Sequence, residues 1–480
     1  MHGFQKTILA GIAASLSGLA IAEQQDQQQG FGLEEVIVTA QRKAESLQDA
    51  PISIAALTAE DLEKEGITNL FDLKAKVPNL TVDFHPVSNQ TVRLFIRGTG
   101  SIDPLQITQD SPIGVYLDGV YIARSTGMAF DIAELQRIEV LRGPQGTLYG
   151  RNSTGGTINL ITARPDPSAL SYKQKLTAGN WGQRAAKFNL NLPIGSDAAV
   201  KLAYLTSRQD GFIENTGEGG DFGDRESEGV RLDFSWDVHD NLRLDYGYDK
   251  SKVRVIGYSL QAIAEPHDDN GSGTPIEIFQ NRLGQEAKQF YDYPGKDVRA
   301  DSLYSAVPLD YSTNIIEGHS LTLGWNLGET QLIKYIAGYR EMRDRTNGVL
   351  SAGSSSDEYR IDYSAYTSKD GSLFLPTTPQ PLDQDQISHE LQWQGSAFGG
   401  RLEYIAGLYY FEENGKEHHP LHHILNGPID ITETPLFTNT TSVLMAEDSR
   451  FTVNNKASAI FTQLDYTLPF WDDRLSIILG

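Results

Sequence analysis

The sequence predicts two architectures in succession, an α+β domain followed by an all-β antiparallel transmembrane β-barrel. Up to about residue 165, short helix signals are mixed with short strands and glycine-rich turns. From Ser171 onward, strands of roughly ten residues dominate, and several alternate strictly between apolar and polar side chains. The links between these strands are alternately short and long, as expected for a barrel with short periplasmic turns and long extracellular loops.

Composition excludes several classes of protein. The 480 residues carry a net charge of -23, which argues against a nucleic-acid partner because such proteins need a basic footprint. The absence of cysteine excludes disulfides and thiolate metal sites. The chain after residue 22 has no apolar run long enough for a membrane helix, whereas barrel strands alternate and escape that criterion. No nucleophile–base order or phosphate loop is recognisable, so we expect neither an enzyme nor a cofactor.

The N-terminus predicts export. Residues 1–22 contain a lysine, a short apolar core and a small-x-small ending at Ala20-Ile21-Ala22, which together are typical of a secretory signal peptide. Residues 23–45 then form a flexible periplasmic segment with a glutamine-rich beginning. Within it, Val36-Ile37-Val38 predicts an isolated strand that can bind by adding itself to a partner's sheet edge. The alternative is an ordinary first strand of the next domain.

Residues 46–165 are predicted to form the compact α+β domain. Thr58 with early acidic residues marks a helix start, and a second short helix is expected from Leu70 to Val77. Alternation predicts a strand at 91–97, and Asp118-Gly119 predicts a hairpin turn within Val115–Tyr121. Residues 103–111 lie between these two signals, and the family resemblance described below implies that they form an apical loop.

A glycine-rich stretch at 137–162 organises this domain. It contains a strand at Ile138–Leu141, a break at Gly143-Pro144 and a second strand at Thr157–Thr162. Its spacing is not that of a dinucleotide or phosphate loop, because no Lys-Ser/Thr follows a glycine. A glycine-rich hairpin of any β protein is the general alternative.

The residues Glu139–Pro144, Tyr149-Gly150 and Gly155–Asn159 of this stretch resemble the plug-domain signature of TonB-dependent outer-membrane receptors. The resemblance implies a plug inside a 22-stranded barrel, in the outer membrane, with TonB box and plug accessible from the periplasm. The structural and gating residues that it implies are Arg97, Gly98, Asp118, Gly119, Glu139, Arg142, Gly143, Pro144, Gly146, Tyr149, Gly150, Arg151, Gly155 and Gly156.

The same resemblance identifies a TonB box near the N-terminus of the exported chain. Its residues are Glu35, Val36, Ile37, Val38, Thr39 and Ala40. The implied partners are the periplasmic protein TonB with its ExbB and ExbD energy-coupling complex, the outer-membrane lipid and a scarce ligand. A ferric siderophore is the leading expectation for that ligand. Carbohydrate, cobalamin, haem and aromatic compounds remain open, and a passive porin or adhesin is the alternative class.

Residues 170–480 are predicted to supply about eleven barrel strands. In Arg231–Val238, leucine, phenylalanine, tryptophan and valine occupy one face while arginine, aspartate and serine occupy the other. A lipid-facing side and a polar lumen explain this pattern. Long links are expected at 212–228, 254–317, 343–385 and 413–456. Eleven strands are half of the number that the resemblance implies, so we expect an open, curved sheet and a chain that is part of a longer protein.

A histidine cluster is the sharpest candidate for metal chemistry. His418, His419, His422 and His423 lie within six residues, and imidazoles bind transition metals. The favoured interpretation is a solvated loop, because no accompanying carboxylate pattern is identifiable. The acidic run Asp268–Gly271 lacks the spacing of a calcium loop. The sequence therefore predicts no resident metal site.

Overall fold

The structure is a computed structural model, and Ile37–Gly480 form one compact unit in it. It describes residues 36–67, 70–85, 88–128, 134–257, 301–303, 309–347, 380–426, 442–470 and 475–480, with side chains of 89 and 420–447 outside the description. The predicted signal peptide, Glu35, the run 268–271 and the side chains of His422 and His423 therefore lie outside the described residues.

The N-terminal part of the compact unit contains three small sheets and short helices. Its elements are β1 (Ile37–Val38), β2 (Glu45–Ser46), β3 (Ile54–Thr58), α1 (Ala59–Lys64), a 3-10 helix (Leu70–Ala75), β4 (Leu80–His85), β5 (Ser88–Ile96), β6 (Thr99–Gly100), β7 (Ile113–Leu117), β8 (Val120–Ile122), a 3-10 helix (Ser125–Met128), β9 (Leu135–Arg142), α2 (Gly146–Tyr149) and β10 (Gly156–Thr162).

The predicted local signals of this part are confirmed. Thr58 caps α1 through a capping box with Asp61, which satisfies otherwise unpaired amides of the first helical turn. Asp118 and Gly119 both have positive φ, at 50° and 88°, as the tight turn between β7 and β8 requires. Within the described residues, no helix combines the length and the apolar character needed to cross a membrane.

A five-stranded sheet with the order β3-β9-β10-β7-β8 forms the centre of this part. Strand β10 pairs in parallel with β7 and antiparallel with β9, so the glycine-rich stretch supplies two central strands. One apolar core joins this sheet to α1, the first 3-10 helix and the sheet β4-β5-β6, and it includes Leu73, Ile96 and Ile158. The strand residues of the glycine-rich stretch therefore belong to the centre of the fold.

The rest of the unit is dominated by one antiparallel sheet of eleven strands in chain order. These strands are β11 (Ser171–Ala178), β12 (Arg184–Ile194), β13 (Ala198–Gln209), β15 (Arg225–His239), β16 (Leu242–Val255), β18 (Ser312–Asn326), β19 (Gln331–Thr346), β20 (Gln380–Ala397), β21 (Leu402–Asn426), β22 (Ser442–Thr467) and β23 (Ser476–Leu479). The predicted strand number and antiparallel order are thus confirmed. Two short strands, β14 (Glu214–Asn215) and β17 (Ser302–Leu303), pair separately.

The two faces of the large sheet have opposite character. Trp236 and Leu202 are 42% exposed on one face, whereas Arg231 is 4% and Gln392 is 1% exposed on the other. The polar face is covered by the N-terminal part, and the apolar face is left open. This inversion of the usual soluble pattern is what lipid on the outside and a polar interior require, and it confirms the predicted alternation.

Several predicted links were wrong in extent because the strands continue into them. Strands β21 and β22 have 25 and 26 residues and pair along their length, through most of the link predicted at 413–456. His418–His423 consequently lie in a strand and not in a loop. Polar composition suggested a loop, but strands that extend beyond the hydrocarbon are solvated on both sides and need no apolar face. These strands extend the sheet at the end where the long links lie, and we call this end of the strands the long-link edge. The opposite end of the strands, where the short turns lie, is called the short-turn edge.

Candidate functional site

The N-terminal segment folds back onto the domain behind it. Strand β1 pairs antiparallel with β2, joining Ile37 to Ser46 and Val38 to Glu45. Val38 and Ala40 are fully buried, at 0% and 1% exposure. The expectation of a strand without a sheet was therefore wrong in this state. The partner strand is only two residues long and lies eight residues away, so sequence periodicity could not detect it.

Glu139 of the plug-like motif anchors this segment from the centre of the sheet. Its fully buried carboxylate accepts hydrogen bonds from the Thr39 amide and from Arg137 Nε, both at 2.7 Å. Asn159 Nδ2 lies 3.4 Å from the second carboxylate oxygen. Charge-assisted hydrogen bonds of this kind are about twice as strong as neutral ones. Glu139 thus connects a residue of the predicted TonB box directly to the plug sheet.

Tyr149 holds the same segment from its other side. Its hydroxyl donates to the Ala40 carbonyl at 2.9 Å and accepts from Asn159 Nδ2 at 2.7 Å. Burial raises the pKa of Tyr149 to about 12, so the hydroxyl keeps its proton and remains a donor at neutral pH. Two motif residues therefore contact two consecutive residues of the predicted box.

Arg42 extends this contact to the large sheet. Its guanidinium lies 4.5 Å from the Tyr149 ring and 5.3 Å from the Tyr116 ring, and an ion pair of 3.5 Å joins it to Glu390 of β20. The Arg42 carbonyl accepts from Gln394 Nε2 at 3.0 Å. Sequence reasoning missed Arg42, because its partners lie more than 70 residues away and no local pattern marks it.

A second ion pair joins the two parts near the long-link edge. Arg124 donates to both carboxylate oxygens of Glu413, at 2.6 and 2.7 Å, and also to the Gln109 carbonyl at 2.9 Å. The side chains of Arg124 and Glu413 are 5% and 1% exposed. A bidentate geometry satisfies the buried charges of both groups. Arg124 was also missed by sequence reasoning.

The predicted apical loop packs against the large sheet beside this ion pair. Ile107 is 1% exposed and packs against Ile316, Met342 and Leu382 of the large sheet. Its amide donates to Glu417 at 2.7 Å. A Cβ atom at Gly415 would overlap the Ile107 side chain, so the missing side chain at this position forms the recess that Ile107 fills.

A third contact lies between the two edges. Asp118, at the predicted turn, accepts from the Thr162 amide at 2.9 Å and forms an ion pair of 2.8 Å with Arg231 of β15. Arg231 also contacts Asp233 at 2.7 Å. The turn residue that the sequence identified is therefore a contact to the sheet wall as well as a turn.

The remaining motif residues lie around the turn after β9. Arg97 donates to Ser53 Oγ at 3.1 Å and Arg142 to the Pro78 carbonyl at 3.5 Å, whereas Arg151 pairs with Asp110 and donates to Asn455 at 3.0 Å. Gly156 has φ of 144°, and a Cβ there would overlap the Leu141 carbonyl oxygen. The other motif glycines and Pro144 surround this turn, namely Gly98, Gly143, Gly146, Gly150 and Gly155.

The histidine cluster is divided by the strand. His418 Nε2 is hydrogen-bonded to Asp448, and neighbouring strand residues such as His418 and His419 point to opposite faces. No group of three metal-ligating side chains is present among the described residues. His422 and His423 occupy β21 by their backbone, and their side chains are not described.

Comparison with known proteins finds one matching family model and several relatives. Residues 46–157 match the family model of the TonB-dependent receptor plug domain. The vitamin B12 transporter of Vibrio vulnificus is 28% identical over 213 residues, 43% of this chain and 33% of that protein. The pesticin receptor of Yersinia pestis is 31% identical over 216 residues, 43% of this chain and 30% of that protein.

The solved structure of the Pseudomonas aeruginosa ferripyoverdine receptor superposes with a TM-score of 0.64 at 15% identity. The match covers 93% of this chain and 53% of that receptor. The fold is thus a plug domain packed against part of an outer-membrane receptor barrel. The chain is similar to TonB-dependent outer-membrane receptors, and its residues 46–157 match their plug domain. It spans about a third of the two curated relatives and about half of the solved receptor.

Proposed function

We propose that this protein takes part in TonB-dependent active uptake of a ferric siderophore across the outer membrane. The observation that carries the proposal is the docking of the N-terminal segment onto the plug through Glu139 and Tyr149. A segment held by a few reversible hydrogen bonds can be withdrawn by a periplasmic partner that pairs with its strand. The proposed partner is TonB, energised through ExbB and ExbD.

The chemical class of the ligand is inferred from the relatives. Matching proteins include receptors named for pesticin and ferrioxamine B, and superposable structures include receptors for ferripyoverdine and ferric yersiniabactin. An iron chelate is therefore the first candidate. The relative named a vitamin B12 transporter supports cobalamin as the second. Uptake is a transport activity, and we propose no enzymatic reaction for this chain.

The test uses the full-length receptor. Three residues of the predicted TonB box are replaced so that the box can no longer form a β-strand. Val36→Gly, Ile37→Pro and Val38→Gly together prevent pairing with a partner strand, because proline lacks an amide donor and fixes φ. We expect uptake of radioactive iron chelates, or of radioactive cobalamin, to fall to the level of a strain without TonB. Ligand binding to whole cells should persist.

The matched control keeps the strand and changes only side-chain size. The variant Val36→Ile, Ile37→Val and Val38→Ile retains β-branched residues at all three positions and should transport normally. Unchanged uptake in the Gly-Pro-Gly variant would reject the active-transport proposal. It would favour a passive porin or an adhesin, in which the plug is a fixed constriction.

A further inference from the structure

A cavity lies between the plug and the inner face of the large sheet, toward the short-turn edge. Its volume is about 450 Å³. One wall is formed by Ile37 and Thr39 of the N-terminal segment, and the opposite wall by β16, β18 and β19. The cavity is therefore closed in part by the segment that the proposed function requires to move.

The charges that line this cavity are unequal. Five lining residues are cationic and three are anionic. The anionic three are Asp118 and Asp233, which bond to Arg231, and Asp245, which lies 3.3 Å from Arg243 and 3.7 Å from Arg164. The carboxylates are thus already neutralised by arginines.

Lys334 of β19 supplies the surplus charge. It lines the cavity on the polar face of the sheet, between the outward-facing residues Ile333 and Tyr335. Among the described residues, no hydrogen bond or ion pair joins its ammonium group to another side chain or carbonyl. A partly buried ammonium without an ion pair or hydrogen bond is costly, and an anion in direct contact with it would lower that cost.

We propose that this cavity is a transit site for an oxyanion group, such as the free carboxylate of an iron chelate, with Lys334 as its principal contact and Arg164 as the second. The proposal rests on the proposed uptake function, and it narrows the ligand to an anionic class. Withdrawal of Ile37 and Thr39 removes one wall and opens the cavity toward the short-turn edge. The cationic lining then attracts an anionic ligand past the plug and disfavours a cationic one.

The test measures the potential inside the cavity without any transport step. The 480 residues contain no cysteine, so in a purified receptor whose cysteines outside these residues are replaced by serine, Thr322→Cys places a single thiol in the cavity wall. An anionic methanethiosulfonate should modify this thiol about tenfold faster, relative to a cationic one, than it modifies a thiol in bulk solvent. Ser196→Cys, in an exposed short turn, provides that reference ratio.

Two further variants decide the role of Lys334. Lys334→Gln should remove the preference for the anionic reagent, whereas Lys334→Arg should retain it. Millimolar citrate, a tricarboxylate probe, should slow modification of Thr322→Cys several-fold at constant ionic strength, and Lys334→Gln should abolish that protection. Lys74→Gln, which removes an exposed lysine paired with Asp83 outside the cavity, is the charge-matched control and should leave the labelling unchanged.

Any of three results would overturn the proposal: equal ratios at Thr322→Cys and Ser196→Cys, a preference that survives Lys334→Gln, or no modification at Thr322→Cys while Ser196→Cys reacts. These readouts do not depend on uptake. A receptor that labels as expected but fails to transport in a TonB-dependent manner would reject the proposed function and leave the anion site intact.

Discussion

The plug is held differently at the two edges of the sheet. At the long-link edge, Arg124 and Glu413 form a bidentate, almost fully buried pair, and Ile107 fills the recess at Gly415. At the short-turn edge, Arg42 and Glu390 form a longer ion pair of 3.5 Å, and a cavity separates the plug from the wall. One edge is interlocked by short buried contacts, whereas the other has a longer ion pair and a cavity beside it.

This difference indicates where movement begins. A pull on the N-terminal segment acts first at the loosely packed edge, where hydrogen bonds can be replaced by water one at a time. The interlocked edge resists until the bidentate Arg124–Glu413 pair is separated, which we expect to cost more than breaking the longer Arg42–Glu390 contact. We therefore expect the contacts between plug and sheet to break in order, first at the N-terminal segment and last at the apical loop.

The largest expected effect comes from breaking the interlocked edge. Arg124→Ala leaves Glu413 buried without its cation, and we expect a loss of about 3–5 kcal/mol in the free energy of plug unfolding. The measurement is the denaturant midpoint for protease cleavage of the plug in the purified receptor. Replacing both residues by apolar ones, Arg124→Met with Glu413→Leu, should restore most of the loss. A double variant as weak as the single one would contradict the role of the pair.

A smaller effect is expected at the loosely packed edge. Arg42→Ala removes the contacts with the Tyr116 and Tyr149 rings and the longer pair with Glu390, whose side chain is 4% exposed, together at least about 2 kcal/mol. Amide hydrogen exchange at Val38 and Thr39 should accelerate at least about tenfold, because 1.4 kcal/mol corresponds to one decade. Exchange at Ile107 should stay unchanged. Lys74→Ala is the control, since it removes an exposed pair with Asp83 away from the N-terminal segment. Equal acceleration at both edges would refute the proposed order.

The smallest effect concerns Glu134, which joins the plug to Lys173 and Lys201 of the sheet. Burial opposes its ionisation, but the hydrogen bonds from both lysines lower the pKa of Glu134 below its usual value. A carboxylate whose pKa is lower in the folded state than in the unfolded state stabilises the fold at pH values above its unfolded-state pKa, here about 4.3. This contribution to stability is lost as the pH falls through the folded-state pKa. The stability difference between wild type and Glu134→Gln should therefore be present at pH 7 and vanish in strong acid. A difference independent of pH would show that Glu134 acts through packing alone.

Local chemistry explains which features could be predicted. The helix cap at Thr58, the turn at Asp118-Gly119 and the alternation in Arg231–Val238 each depend on residues within a few positions of one another. The glycine-rich stretch was specific enough to indicate the family. For these features the sequence pattern and the observed structure have the same physical origin.

The contacts that define the site could not be predicted in this way. Arg124 lies 289 residues from Glu413, and Gln394 donates to a carbonyl 352 residues away. Nothing near either residue specifies its partner, because the pairing depends on how a plug and a wall dock. The lengths of β21 and β22 could not be predicted for a related reason. Strands that extend beyond the membrane lose the alternation of apolar and polar residues by which a strand is recognised in the sequence.

The recess at Gly415 has an evolutionary consequence. Ile107 lies in the apical loop and Gly415 in the wall. A side chain at position 415 would overlap Ile107, so the isoleucine fits only while position 415 is glycine. A larger residue at position 415 is acceptable only after a smaller one has appeared at position 107. Natural variation at these two sites is thereby tied together across 308 positions of the chain. We therefore expect the apical loop and the wall to diverge as a matched pair at these two positions.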